Sequence, residues 1–241
     1  MLLLVYQSMI TFLCVMGVVL KVTVLILSKS MKELSFVKLS KSQKVSLEKA
    51  TSHYEGHLPL AEGYLAKRGL SLEVGTKLRL GVVVDPLPGQ EHFIGRLAIP
   101  YITPTGVVDI RFRAMGPEEP KYMGMPGTTT RLFNVNALHY AGSVIAVCEG
   151  EIDAITLDRM CGIPAVGVPG ANSWKPHYTR LLSDFEAVYV FTDGDQPGSD
   201  FGKMLSKEFN NTVIIQMPEG EDVNSMYLAK GADYFMEKVM G

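Results

Sequence analysis

Residues 188–200 read VYVFTDGDQPGSD: an unbroken run of β-branched and aromatic side chains that stops on two carboxylates, Asp193 and Asp195, with Gly194 between them. A continuous apolar run closed by a glycine-containing turn predicts a strand covered on both faces. The following GSDFGKMLSKEF reads as a helix. The stretch is therefore one strand–turn–helix unit with its acids at the carboxyl end of the strand. Gly194 is expected to tighten the turn so that both carboxylates face one point.

The same grammar recurs on either side. SVIAVCEG precedes the helical EIDAITLDRMC, PAVGVPG precedes KPHYTRLLSDF, and TVIIQMP precedes DVNSMYLAKGADYFMEKVM. Apolar strands alternating with short helices predict βα units and a mostly parallel sheet with flanking helices, the α/β class. Upstream the pattern differs. LPLAEGYLAKRGL predicts a helix stopping at Gly69, and RLAIPYITPTGVVDIRFRAM predicts two strands joined by a turn at residues 104–106. GPEEPKYMGMPGTTTRLFN, rich in Gly and Pro, predicts a loop with a short strand at its end. This smaller half is expected to be α+β. The implied division is 1–30 hydrophobic segment, 31–54 basic helix or tether, 55–140 α+β subdomain and 141–241 parallel-sheet domain.

In an open α/β sheet, ligands gather outside the carboxyl ends of the strands. Three acidic clusters fall there: Glu149, Glu151 and Asp153 in CEGEID; Asp193 and Asp195 in TDGDQPG; and Glu219, Glu221 and Asp222 in MPEGEDVN. One such cluster is more often a turn or a helix cap. Three in one βα array call for neutralisation, and hard oxygen ligands suit Mg²⁺ or Mn²⁺. Asp153 alone reads equally as a loop-orienting or capping residue. Asp158 and Asp200 read as solvated helix positions.

Charge agrees with two different tasks. Residues 32–140 carry 14 Lys/Arg against 10 Asp/Glu, and residues 141–241 carry 7 against 15. A basic half suits phosphates and an acidic half suits cations. The three cysteines, Cys14, Cys148 and Cys161, have no zinc-knuckle spacing, so no zinc is expected in this chain. The first 20 residues carry no charge, and a basic stretch follows the apolar segment. That pattern fits a start at Met31, a membrane anchor through residues 1–27 with the remainder cytoplasmic, or a signal peptide.

The motifs EGEID, TDGDQPG and GEDVN together resemble the Toprim module of DnaG-type primases, topoisomerases and some nucleases. AEGYLAKRGLSLEV, GRLAIPYITPTGVVDIRFRAM and EPKYMGMPGTTTRLFNVNAL resemble, in the right order, the N-terminal subdomain of the DnaG-type primase catalytic core. The resemblance covers about residues 55–235 and implies a Toprim fold preceded by that subdomain. It further implies template-directed synthesis of short RNA primers with two Mg²⁺ or Mn²⁺ ions, in a phage or mobile-element protein. By position, Glu149, Asp193, Asp195 and Asp222 would hold metal, with Glu149, Asp193 and Asp195 catalytic and Glu149 a candidate general base. Arg96, Arg113, Lys121, Tyr122 and Arg131 would contact template, nucleotide or primer. Tyr122 reads equally as a packed aromatic, and Arg96 as a surface hairpin charge.

The implied partners are single-stranded DNA, ribonucleoside triphosphates, a replicative helicase and a separate zinc-ribbon protein. The family usually has Asp where Asn224 stands, which makes the third cluster one charge weaker. It also usually carries a zinc ribbon and a helicase-binding domain, so this chain is expected to be a catalytic core alone. A Toprim nuclease and a non-catalytic nucleic-acid-binding replication factor are the competing readings.

Overall fold

The computed structural model describes residues 39–170 and 173–240. The apolar N-terminal segment, with its start-site, anchor and signal-peptide readings, lies outside the described residues. Among the described residues no helix is long and apolar enough to cross a membrane.

Helix α1, Lys41–Glu55, opens on a capping box. Ser40 Oγ accepts from the Gln43 backbone N–H, and Gln43 Oε1 accepts from the Ser40 N–H. Two of the helix's orphan donors are thereby satisfied. One face of α1 buries Leu47, Ala50, Thr51 and Tyr54, so the basic segment from Lys41 onward is a packed helix and not a free tether. It lies close against strand β1, Gly81–Val82: a methyl group at Gly81 would lie 2.3 Å from the Tyr54 carbonyl. Tyr54 of α1 joins Phe93 and Phe112, whose rings stack 3.7 Å apart.

The predicted hairpin forms as strands β2, Leu97–Thr103, and β3, Gly106–Arg113, with a register slip between Tyr101 and Ile102. The short strand expected at the end of the Gly/Pro-rich segment falls earlier, as β4, Tyr122–Gly124. There, β4 pairs antiparallel with β3 and sets Arg113 directly opposite Tyr122. Phe133 makes only an isolated bridge to Gly167. The antiparallel sheet runs β1-β2-β3-β4.

The second sheet is parallel throughout. Its order is β6-β5-β7-β8, from β5 (Val144–Cys148), β6 (Ala165–Gly167), β7 (Ala187–Thr192) and β8 (Thr212–Gln216). The two central strands, β5 and β7, are the ones with the longest apolar runs, because helices cover both of their faces. The connecting helices begin with α2 (Glu62–Lys67) and α3 (Leu72–Lys77) upstream. Within the sheet they are α4 (Glu151–Ile155), α5 (Pro176–Leu182), α6 (Gln196–Glu208), α7 (Val223–Lys230) and α8 (Asp233–Met240). Helix α4 runs into a π-helical turn at Thr156–Met160. The single helical segment expected after β8 is broken at Gly231, whose φ of 77° favours glycine.

One apolar cluster joins residues of both sheets, Leu97, Ile99 and Tyr101 with Ala146, Ile152 and Phe191. A second, around Val147, Val190, Phe201 and Leu205, fills the opposite face of the parallel sheet. A fully buried Phe or Leu contributes about 1.5–3 kcal/mol against about 1 kcal/mol for a typical cap, and many such residues are shared, so this core fixes the antiparallel sheet against the rim of the parallel one.

Candidate active site

The three acidic loops leave the carboxyl ends of β5, β7 and β8 and are tied together through their backbones. The Asp193 N–H donates to Glu149 Oε1 at 3.1 Å. The Gly194 N–H donates to the Glu221 carbonyl at 2.8 Å, and the Gly220 N–H returns to the Gly194 carbonyl at 3.0 Å. Gly194 is needed for this crossing and not for aiming two acids at one point, as a Cβ there would sit 1.7 Å from the Pro218 carbonyl oxygen. Gly198 is similarly confined, with a Cβ at 2.4 Å from the Asp193 carbonyl oxygen and 2.9 Å from Glu149 Oε1.

Glu149 and Asp193 are half-buried at this rim. Burial first, then the charges of Glu149, Asp222 and Asp195, pushes the Asp193 carboxyl up to about 7. Burial likewise raises Glu149, with Asp195 and Asp153 adding to it. Asp153 is buried and pushed up to about 7 by desolvation, then by Asp222 and Asp193. These acids feel one another strongly, as closely spaced carboxylates without counter-charge do.

Two of the predicted ligands also cap helices. Asp195 Oδ1 accepts from the Gly198 N–H at 2.7 Å and starts α6. Asp222 Oδ1 accepts from the Ser225 N–H at 2.6 Å and starts α7 in a reciprocal box. A cap engages one carboxylate oxygen and leaves the other. Among the described residues no three Asp, Glu, His or Cys side chains are drawn close enough to hold one ion as they stand. The donor set still fits a hard divalent cation: it is all oxygen and mutually repulsive, and two of its members sit at rigid helix starts. Glu151 does not join it. It is buried, accepts from Tyr101 Oη at 2.6 Å and lies 3.8 Å from Arg111.

The basic half faces this rim. Lys121, exposed at the start of β4, counters the rise of the Asp193 carboxyl through its charge. Arg113 does the same for Asp153. Arg113 is itself buried, hydrogen-bonded to both Tyr64 and Tyr122, and its guanidinium carbon lies 4.8 Å from the Tyr122 ring centre. Tyr122 is thus a packed aromatic that clamps an arginine. Tyr64, Arg68, Arg113 and Lys121 line one cleft, and Arg68 Nη1 in its wall stands 4.0 Å from Asp222 Oδ2. Arg96 is not a surface hairpin charge. It is buried and donates to the Pro120 carbonyl at 2.7 Å, holding the backbone next to Lys121. Arg131 lies away from this cleft, its charge acting on Lys175, His177 and Tyr178.

Residues 146–227 match the Toprim-like family. The Gene 57 protein of Mycobacterium phage D29 is 47% identical over 150 residues, which are 60% of this chain and 98% of that one. The DNA primase of Pseudomonas putida is 27% identical over 165 residues, 62% of this chain and 25% of that protein. A DnaG primase catalytic domain bound to single-stranded DNA has the same fold, with a TM-score of 0.67, 22% identity, and coverage of 80% of this chain and 79% of the other.

The chain belongs to the family of that phage protein and carries a Toprim-like domain.

It spans about a quarter of the length of the primase from P. putida. Upstream of the Toprim-like segment, sequence reasoning passed over Arg68 and Tyr64, which lie at a short helix whose spacing signals only packing. It also read Asn224 as a weakened acid position. Asn224 is fully buried instead, and its backbone N–H donates to Asp153 Oδ1 at 3.1 Å. Both sequence and structure leave Asp153 in an orienting role, since it anchors the start of α7 from within α4.

Proposed function

We propose that this chain is the catalytic core of a DNA primase, a nucleotidyltransferase that makes short RNA primers on a single-stranded DNA template. The observation that carries the reading is that Asp193 lies within electrostatic reach of Glu149, Asp222 and Lys121 at one rim, with the Arg113–Tyr122 pair acting on neighbouring Asp153. Glu149, Asp193, Asp195 and Asp222 would hold Mg²⁺ or Mn²⁺. When bound, such ions neutralise developing negative charge on the reacting phosphoryl and leaving pyrophosphate oxygens.

The chain's own groups supply the rest. Glu149, whose carboxyl is held above its ordinary value by burial, is suited to accept the proton of the primer 3′-hydroxyl as its oxygen bonds the α-phosphorus. The bond from that phosphorus to the β-phosphate bridging oxygen breaks, and pyrophosphate leaves. Lys121 and the Arg113–Tyr122 pair offer point-charge and planar contacts to triphosphate or backbone phosphate without reading bases. Arg96 positions Lys121 through the Pro120 carbonyl. Arg131 would take a phosphate farther along the strand. A replicative helicase and a separate zinc-ribbon protein are the partners such a core would use, in the cytoplasm of a phage-infected cell.

One assay separates this reading from its rivals: the purified chain with single-stranded DNA, ribonucleotides and Mg²⁺ or Mn²⁺, with and without candidate zinc-ribbon proteins. Short RNA supports the primase, shortened DNA a Toprim nuclease, and binding alone an accessory protein. Asp193→Asn abolishes either activity. An Asp193→Asn chain as active as the wild type would overturn the site.

A further inference from the structure

Asn224 occupies a pocket specified for an amide. Its Nδ2 donates to the Arg68 carbonyl at 2.8 Å and to Thr156 Oγ1 at 3.0 Å. The Thr156 hydroxyl proton is committed elsewhere, to the Ile152 carbonyl at 2.8 Å, in the turn where α4 becomes π-helical. Asn224 therefore faces two acceptors on its nitrogen side. On its oxygen side it faces a donor, Arg68 Nη1, at 3.3 Å. An aspartate in this fully buried place would set carboxylate oxygen against the Arg68 carbonyl and Thr156 oxygen, beside the buried Asp153.

The same Arg68 nitrogen that bonds Asn224 stands 4.0 Å from Asp222 Oδ2, the carboxylate oxygen not used in capping α7. Arg68 is thus shared between a neutral amide and a proposed cation ligand, and it is closer to the amide. We infer that Asn224 is a positioning residue whose amide holds the Arg68 guanidinium back from Asp222, leaving that carboxylate open to a divalent cation. The inference rests on the metal-dependent reading above. It replaces the notion of a lost metal ligand: the third acidic loop contributes Asp222 alone, and Asn224 governs how available Asp222 is.

The test is a double-mutant cycle read by calorimetric titration of Mn²⁺ into the nucleotide-free protein. Asn224→Ala frees Arg68 to close on Asp222 and weakens Mn²⁺ binding about tenfold, the effect of one unit charge brought beside a ligand oxygen at partial exposure. In an Arg68→Met background the same substitution changes Mn²⁺ binding less than about twofold, because the group it restrains is gone. A loss of equal size in both backgrounds assigns Asn224 a purely structural role and overturns the inference. So does Asn224→Asp binding Mn²⁺ more tightly than the wild type.

Should Asn224→Ala fail to fold, Arg68→Met alone decides. Removing the competing cation tightens Mn²⁺ binding, and a weakening overturns the inference. A wild-type chain that binds no Mn²⁺ overturns this inference and the metal reading together. Wild-type binding that is abolished by Asp193→Asn, but shows no coupling between residues 68 and 224, overturns this inference alone.

Discussion

The backbone N–H of Asp193 donates to the side chain of Glu149 at 3.1 Å, across the carboxyl ends of the two central parallel strands. This bond partly offsets the repulsion between their charges, since a donor that favours the ionised Glu149 acts against the burial that disfavours it. The rim is therefore held ready by backbone groups while its side chains retain mutual strain that a cation would relieve.

That strain predicts a pH dependence. Asp193 moves from 3.8 in an ordinary setting to about 7 in the fold, so the native chain binds this proton more tightly than the unfolded chain does. Stability is fully present below the unfolded value and is lost as pH rises through the folded value. In EDTA, the unfolding temperature of the wild type falls between about pH 4 and 7 more steeply than that of Asp193→Asn. Saturating Mn²⁺ removes the wild-type decline. Parallel curves for the two proteins in EDTA would show that Asp193 is not strained in this way.

Gly194→Ala is expected to cost about 3 kcal/mol, at the upper end for overpacking, because the contact is with the Pro218 backbone and not with a flexible side chain. Gly63→Ala is the control. Nothing lies within 4 Å of its added carbon, and it sits inside α2, so a gain of about 0.5–1 kcal/mol follows. Urea unfolding of both variants checks the sign of each.

Tyr101→Phe removes the donor to Glu151, a carboxylate only 2% exposed. The remaining neighbour, Arg111, is 3.8 Å away. Leaving that oxygen without its hydrogen bond destabilises the fold by about 1–3 kcal/mol. The urea midpoint should shift with an unchanged slope. An unshifted midpoint would mean that Glu151 repairs its bond elsewhere.

Lys121→Ala tests the basic side. One lost phosphate contact lowers the slope of log affinity against log salt for single-stranded DNA by about 0.7. Fluorescence anisotropy across a salt series reads it. An unchanged slope would place Lys121 off the nucleic-acid path.

The βα grammar, the parallel sheet and the location of the acids are legible in the sequence, because short apolar runs rich in β-branched residues and closed by Gly-containing acidic turns read as strands covered on both faces. The sequence by itself also determined the hairpin and its turn at residues 104–106. Tertiary structure alone decided what each polar group does. Glu151 and Glu149 are two residues apart in sequence, yet one is sealed under Tyr101 and the other stands at the rim. Arg96 reads as a surface charge until Pro120 is seen above it, and Tyr122 becomes a clamp only because β4 forms opposite Arg113. Asn224 reads as a weakened acid until Arg68, 156 positions away, supplies the carbonyl its amide requires. Periodicity reports which face of an element is apolar. The partner of a buried hydrogen-bonding group comes from a distant part of the chain, and no local pattern encodes it.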